Sequence, residues 1–170
     1  MGVYSIDKLI TEARKLASDY RKATGKPLAG VSVEIAEYDA SHLLDLDLSA
    51  PPAGSSYDAI GRGSREGKRI IIKGRTIFDE EKKGQRIGQI KAEQEWDSVV
   101  LVLMDENHEP YEIYEADRDD LADELEDAKQ SKRAKRGAMS VAKFKNIARI
   151  VWTREEGLID DDIWDNQASN

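Results

Sequence analysis

Cysteine is absent from the 170-residue chain. That absence excludes a disulfide framework, a thiol nucleophile, a zinc ribbon and an iron–sulfur site. It also fits a reducing cytosol, so a cytoplasmic location is expected. Histidine is scarce as well. His42 and His108 lie far apart, which argues against the clustered histidines of zinc hydrolases. No apolar run approaches the roughly 18 residues of a membrane span, so no membrane partner is expected. The segment Met1–Ile6 lacks the apolar stretch of a signal peptide. Gly2 is present, but Ile6 stands where a myristoylation signal has Ser or Thr. There is no Gly-x-Ser-x-Gly elbow. The run from Gly63 to Arg69 is one residue too short for a phosphate-binding loop, and Arg69 replaces its Ser/Thr. Gly61 and Gly63 begin a dinucleotide fingerprint, but Glu66 stands at the third glycine. A glycine-rich hairpin turn accounts for both.

Enough remains to build a core. Hydrophobic residues make up 39% of a length that suits one domain. A chain of this size buries roughly 70% of its unfolded surface. Leu9, Ile10, Ala13, Leu16, Ala17 and Tyr20 recur at helical spacing within 4–24, and Gly25-Lys26-Pro27 ends that helix. A second helix is expected over about 33–46, with Glu34, Glu37, Tyr38 and Ser41 on its polar side. After the Ala50–Ser56 loop the period changes. Tyr57–Ile60 and Lys68–Ile77 read as a hairpin of two strands. Residues 79–95 read as charged and irregular. The unbroken run Ser98–Met104 reads as a buried central strand, followed by a strand over Tyr111–Ala116. A short helix over about 118–128, a helix capped by Ser140 and a strand Ile150–Trp152 complete the order. The fold class is α/β, or α+β: a single mixed sheet flanked by helices. Residues 1–154 form the domain, and 155–170 read as an acidic tail.

The candidate chemistry sits on the hairpin. Asp58 lies on its first strand and Lys73 on its second. Alternation puts Arg69, Ile71, Lys73 and Arg75 on one face and Ile70, Ile72 and Gly74 on the other. The second face reads as core and the first as a basic surface. Glu34 and Glu37 project from the preceding helix. In this order the chain resembles the PD-(D/E)XK superfamily, the restriction-endonuclease-like fold. The stretches Glu34–Tyr38, Tyr57–Ile60, Ile72–Arg75, Gly84–Gly88 and Trp96–Val99 are similar to one bacterial domain family of unknown function within it. The likeness spans about residues 4–152. It implies a metal-dependent nuclease of bacterial or phage type. By that resemblance, Asp58, the Ile72 carbonyl and Glu37, or Glu34, hold Mg²⁺ or Mn²⁺, and Lys73 positions the attacking water. The sequence departs from the pattern at Ile71, where the superfamily has an acid or Gln two residues before the lysine. Without the resemblance, Asp58 and Lys73 make an ordinary hairpin ion pair, and Glu34 and Glu37 a solvated helix face.

The net charge is −8, from 34 acids and 26 bases, and it is unevenly spread. Lys129, Lys132, Arg133, Lys135, Arg136, Lys143, Lys145 and Arg149 share a stretch without acids. Arg62, Arg65, Lys68, Arg69, Lys73 and Arg75 are opposed locally by Glu66 alone. Such groups suit phosphate backbones, so DNA is the expected partner. Arg69, Arg75, Arg86, Arg133, Lys135, Arg136 and Lys143 are the candidate contacts. Acids crowd residues 117–127 and the tail. Three readings follow. They are a DNA-binding nuclease, the same fold kept as an inactive DNA- or protein-binding module, and a small acidic regulator of the immunity type. Many nucleases of this kind are homodimers, but no segment marks a dimer interface.

Overall fold

The computed structural model describes residues 5–78, 85–90, 93–130 and 138–159. In chain order the elements are α1 (Ile6–Thr24), α2 (Val31–Leu44), β1 (Leu46–Asp47), β2 (Ala59–Gly61), β3 (Arg69–Thr76) and β4 (Arg86–Gln89). Then come β5 (Ser98–Met104), β6 (Pro110–Asp117), α3 (Arg118–Gln130), β7 (Ala138–Ser140), α4 (Val141–Ile147), β8 (Arg149–Thr153) and β9 (Gly157–Leu158). A seven-stranded mixed sheet runs in the order β1-β2-β3-β5-β6-β8-β9, and β4 and β7 form a separate pair. The expected α/β class and single main sheet are observed.

β5 is buried at all seven positions. It pairs in parallel with β3, Ile72 opposite Val100, and antiparallel with β6, Leu101 opposite Tyr114. A strand between two neighbours and under two covered faces must be apolar throughout, which is why its residues do not alternate. On one face Ile70, Ile72, Val100 and Val102 pack with Ile35, Ala36 and Ala40 of α2. The helix comes very close here. A Cβ placed on Gly74 would lie 2.3 Å from the Ala36 methyl, so the contact requires glycine. α1 lies outside α2 and is joined to it by the Arg14–Asp39 ion pair. Ser5 caps α1 and Ser140 caps α4, each accepting the N–H three residues on.

The opposite face corrects the expectation of an open basic surface. Ile71, Val99, Leu101 and Leu103 are buried there against Ile87 of β4, Trp96, Leu121 of α3 and Phe144 of α4. The β4–β7 pair supplies part of that cover, and β4 lies inside residues 79–95, which read as irregular in sequence. At the far edge, β8 continues into β9, with Trp152 opposite Leu158. The sheet therefore runs past residue 154, into the segment read as tail. Residues 160–170 lie outside the described residues.

Candidate functional site

β2 is only three residues long, whereas β3 has eight. β3 therefore outruns its neighbour, and among the described residues no strand pairs with that edge from Ile72 onward. Asp58 sits at this point, just before β2. Its N–H donates to the Ile70 carbonyl at 2.9 Å, and its Oδ2 accepts the Ile72 N–H at 2.8 Å. The carboxylate thus closes the ladder where the strand stops, satisfying a backbone donor that the sheet leaves over.

Two further charged groups reach the same edge. Glu37, half-buried on α2, is pushed up to about 7 by burial, by Asp58 and by Glu34. Glu34 lies one turn earlier and is exposed. Lys73 is half-buried on β3, and its ammonium donates to the Gln89 carbonyl of β4 at 3.3 Å. Burial lowers its pKa while the Asp58 carboxylate works against that shift. Asp58 is therefore within electrostatic reach of both Glu37 and Lys73, although helix and lysine approach the sheet from opposite faces. Asp58 is the link between them: it acts on Glu37 from one side and on Lys73 from the other, while Glu34 acts on Glu37 alone.

The other expected residues fall as follows. Ile72 offers its backbone beside Asp58, with its side chain in the core under α2. Ile71 is 8% exposed and packs with Ile87 and Trp96, so no polar group stands where the superfamily has one. Among the described residues, no three His, Cys, Asp or Glu side chains group to hold a metal. Glu37 and Asp58 are two carboxylates that disfavour each other's charge. They do not make an all-protein cage.

The basic hairpin is less basic in three dimensions than in sequence. Arg69 is held by both oxygens of Asp97, at 3.0 and 3.2 Å. Arg62 pairs with Asp45 and Asp47, Arg65 with Glu115 and Lys68 with Asp117. These acids lie well outside the hairpin in sequence, so a local charge count misses them. Lys143 pairs with Glu124 at 2.7 Å. Arg75 turns inward and donates to the Arg86 and Gly74 carbonyls, both at 2.5 Å. Arg86 is exposed on β4. Arg133, Lys135 and Arg136 lie outside the described residues.

Sequence reasoning missed the roof of the site, β4. Gly88 there has φ +87°, and a Cβ on it would come within 3.2 Å of Arg75 and 3.7 Å of Lys73. The Gly-x-x-x-Gly frame around Gln85–Ile87 was the available signal. Compared with known proteins, the chain matches no family model and no curated protein. Among the described residues, no helix is long and apolar enough to cross a membrane.

Proposed function

We propose that the protein is a DNA-binding, restriction-endonuclease-like phosphodiester hydrolase that works with Mg²⁺ or Mn²⁺. The observation that supports this reading is the position of Asp58 at the edge of β3, within electrostatic reach of Glu37 on one side and Lys73 on the other. In this reading Asp58 and Glu37 hold the cation, with the Ile72 carbonyl and water completing its shell. When bound, such a cation would supply polarisation of the scissile phosphate and a more acidic water. Lys73 orients that water and donates to a phosphate oxygen as negative charge develops. Its half-buried amine favours proton exchange, because burial destabilises its charged form. Arg86, exposed on the roof strand, is the candidate backbone contact on β4.

Ile71 favours a second reading, the same fold binding DNA without cutting it. A buried isoleucine neither ligates a cation nor accepts a proton. Incubation with supercoiled DNA and Mn²⁺ separates the two. Wild type should nick the plasmid, and Asp58→Ala and Lys73→Ala should each slow nicking by about a hundredfold or more. Equal nicking by all three proteins would remove these residues from the chemistry. Retention of DNA without nicking would favour the second reading.

A further inference from the structure

A cavity of about 400 Å³ lies at the other end of α2 from its junction with β1. Its walls come from the N-terminus of α2, the last residues of β3, Arg21 of α1, Phe78 and Gln85, and His108 in the β5–β6 turn. It does not include Asp58, Glu37 or Lys73. Its volume falls within the roughly 300–1,000 Å³ of small-molecule sites.

Its lining has an unusual property. Three buried side-chain polar atoms among the described residues have no hydrogen-bond partner: Thr76 Oγ1, Gln85 Oε1 and His108 Nδ1. All three residues line this one cavity. Buried polar atoms are nearly always partnered, and unpartnered ones scattered by chance would not converge. His108 is 1% exposed and holds a left-handed backbone at φ 61°. Burial, with Arg14 and Arg21 nearby and against the pull of Asp105, keeps its ring neutral to lower pH than usual. A neutral ring retains one donor and one acceptor nitrogen.

The same wall is positive. Among the described residues, Arg75 bonds to two carbonyls and no carboxylate. The Arg21 guanidinium lies 3.7 Å from the Phe78 ring centroid and likewise has no carboxylate partner among them. Gly30 caps α2 without a side-chain acceptor, so the first N–H groups of this 14-residue helix lack a side-chain cap. Such a terminus favours an anion. Pro27, Leu28 and Phe78 give the rest of the cavity an apolar side.

We propose that this cavity binds a phosphomonoester of nucleotide size. The phosphate sits between Arg75, Arg21 and the α2 N-terminus, and the nucleoside lies along the apolar side. Two guanidiniums suit a dianion, and planar arginine forks match phosphate oxygens. His108 Nδ1 and Thr76 Oγ1 are placed for donors or acceptors of the ligand, and Gln85 Oε1 takes a hydroxyl or amino hydrogen from the nucleoside. Inorganic phosphate alone would leave the apolar side empty. The chemistry is shared by a free nucleoside monophosphate and by the phosphorylated end of a DNA strand. The inference does not rest on the hydrolase reading.

Calorimetric titration of the full chain tests it, with deoxyadenosine monophosphate, deoxyadenosine, inorganic phosphate, and an oligonucleotide with or without a terminal phosphate. The monophosphate should bind about tenfold or more tightly than deoxyadenosine or phosphate, and Arg21→Gln and Arg75→Gln should each weaken it by at least about tenfold. Arg21→Gln is the safer variant, because Arg75 also fastens β4. Asp58→Asn should leave this affinity unchanged, which keeps the result separate from that of the hydrolase test. Tighter binding of the free nucleotide would assign the site to a small molecule. Tighter binding of the phosphorylated strand would assign it to a DNA end. Deoxyadenosine binding as tightly as its monophosphate, or undiminished binding by a folded Arg21→Gln, would overturn the proposal.

Discussion

Replacing Glu37 with Gln should stabilise the protein at about pH 8 and change little at about pH 5. Glu37 shares its edge of β3 with Asp58 and Glu34, and its pKa rises from 4.5 to about 7. The folded chain therefore holds this proton more tightly than the unfolded chain does. The resulting stability is complete below about 4.5 and is lost as pH rises through about 7. At about 1.4 kcal/mol per pH unit, the gap sets a ceiling of about 3.4 kcal/mol. Glu37 is only half-buried, so solvent screening reduces this to about 1–2 kcal/mol. Glutamine keeps the shape and cannot ionise. Urea melts followed by the fluorescence of buried Trp96, at several values between about pH 5 and 8, read the difference directly. The wild-type and Glu37→Gln curves should diverge as pH rises. Millimolar Mn²⁺ should raise the wild type at high pH and leave the variant in place. Parallel curves across the range would refute the claim that burial, with Asp58 and Glu34 nearby, raises the Glu37 pKa.

Three other substitutions probe the frame around the site. Glu115 is 0% exposed, and its carboxylate takes Arg65 at 3.0 Å, Arg149 at 3.2 Å and Ser98 at 2.9 Å. Glu115→Ala takes the carboxylate from the largely buried Arg65, while Arg149 keeps Asp117 at 3.2 Å, and should cost about 3 kcal/mol in a urea melt, so a loss under about 1 kcal/mol would contradict the network. Gly74→Ala drives a methyl toward Ala36 and should destabilise by about 1–3 kcal/mol, whereas a neutral result would mean that α2 does not press on β3 there. Ile71→Glu supplies the acid that the superfamily pattern has beside Lys73. It should raise Mn²⁺-dependent nicking while lowering the urea midpoint, because the position is buried. A folded variant with no gain in nicking would weaken the hydrolase reading.

Local pattern carried a good part of this fold. The unbroken run of β5, the cap at Ser140 and the β2–β3 hairpin are all readable over short windows. Asp58 and Lys73 were legible for the same reason, as paired strands with one turn between them. Contacts between distant segments were not. β4 pairs with β7 about fifty residues later, with Arg86 opposite Ser140. Neither strand has more than four residues, too few for alternation to show. The burial of Ile71 follows from that cover, and no local period marks it. The charge map failed for a related reason. Arg65 and Lys68 look unopposed until the sheet brings Glu115 and Asp117 beside them. The unpartnered polar atoms of Thr76, Gln85 and His108 come from three separate stretches of chain, which no motif spans.

The central claim is that Asp58 and Glu37 together form a divalent-cation site at the edge of β3. Titration of Mn²⁺ into the full chain, followed by the loss of the free-ion paramagnetic resonance signal, tests it without any assumption about substrate. The account predicts one bound ion per chain at millimolar or lower concentration, weakened at least about tenfold by Asp58→Asn and by Glu37→Gln. Binding that is absent, or that survives both substitutions undiminished, would contradict it.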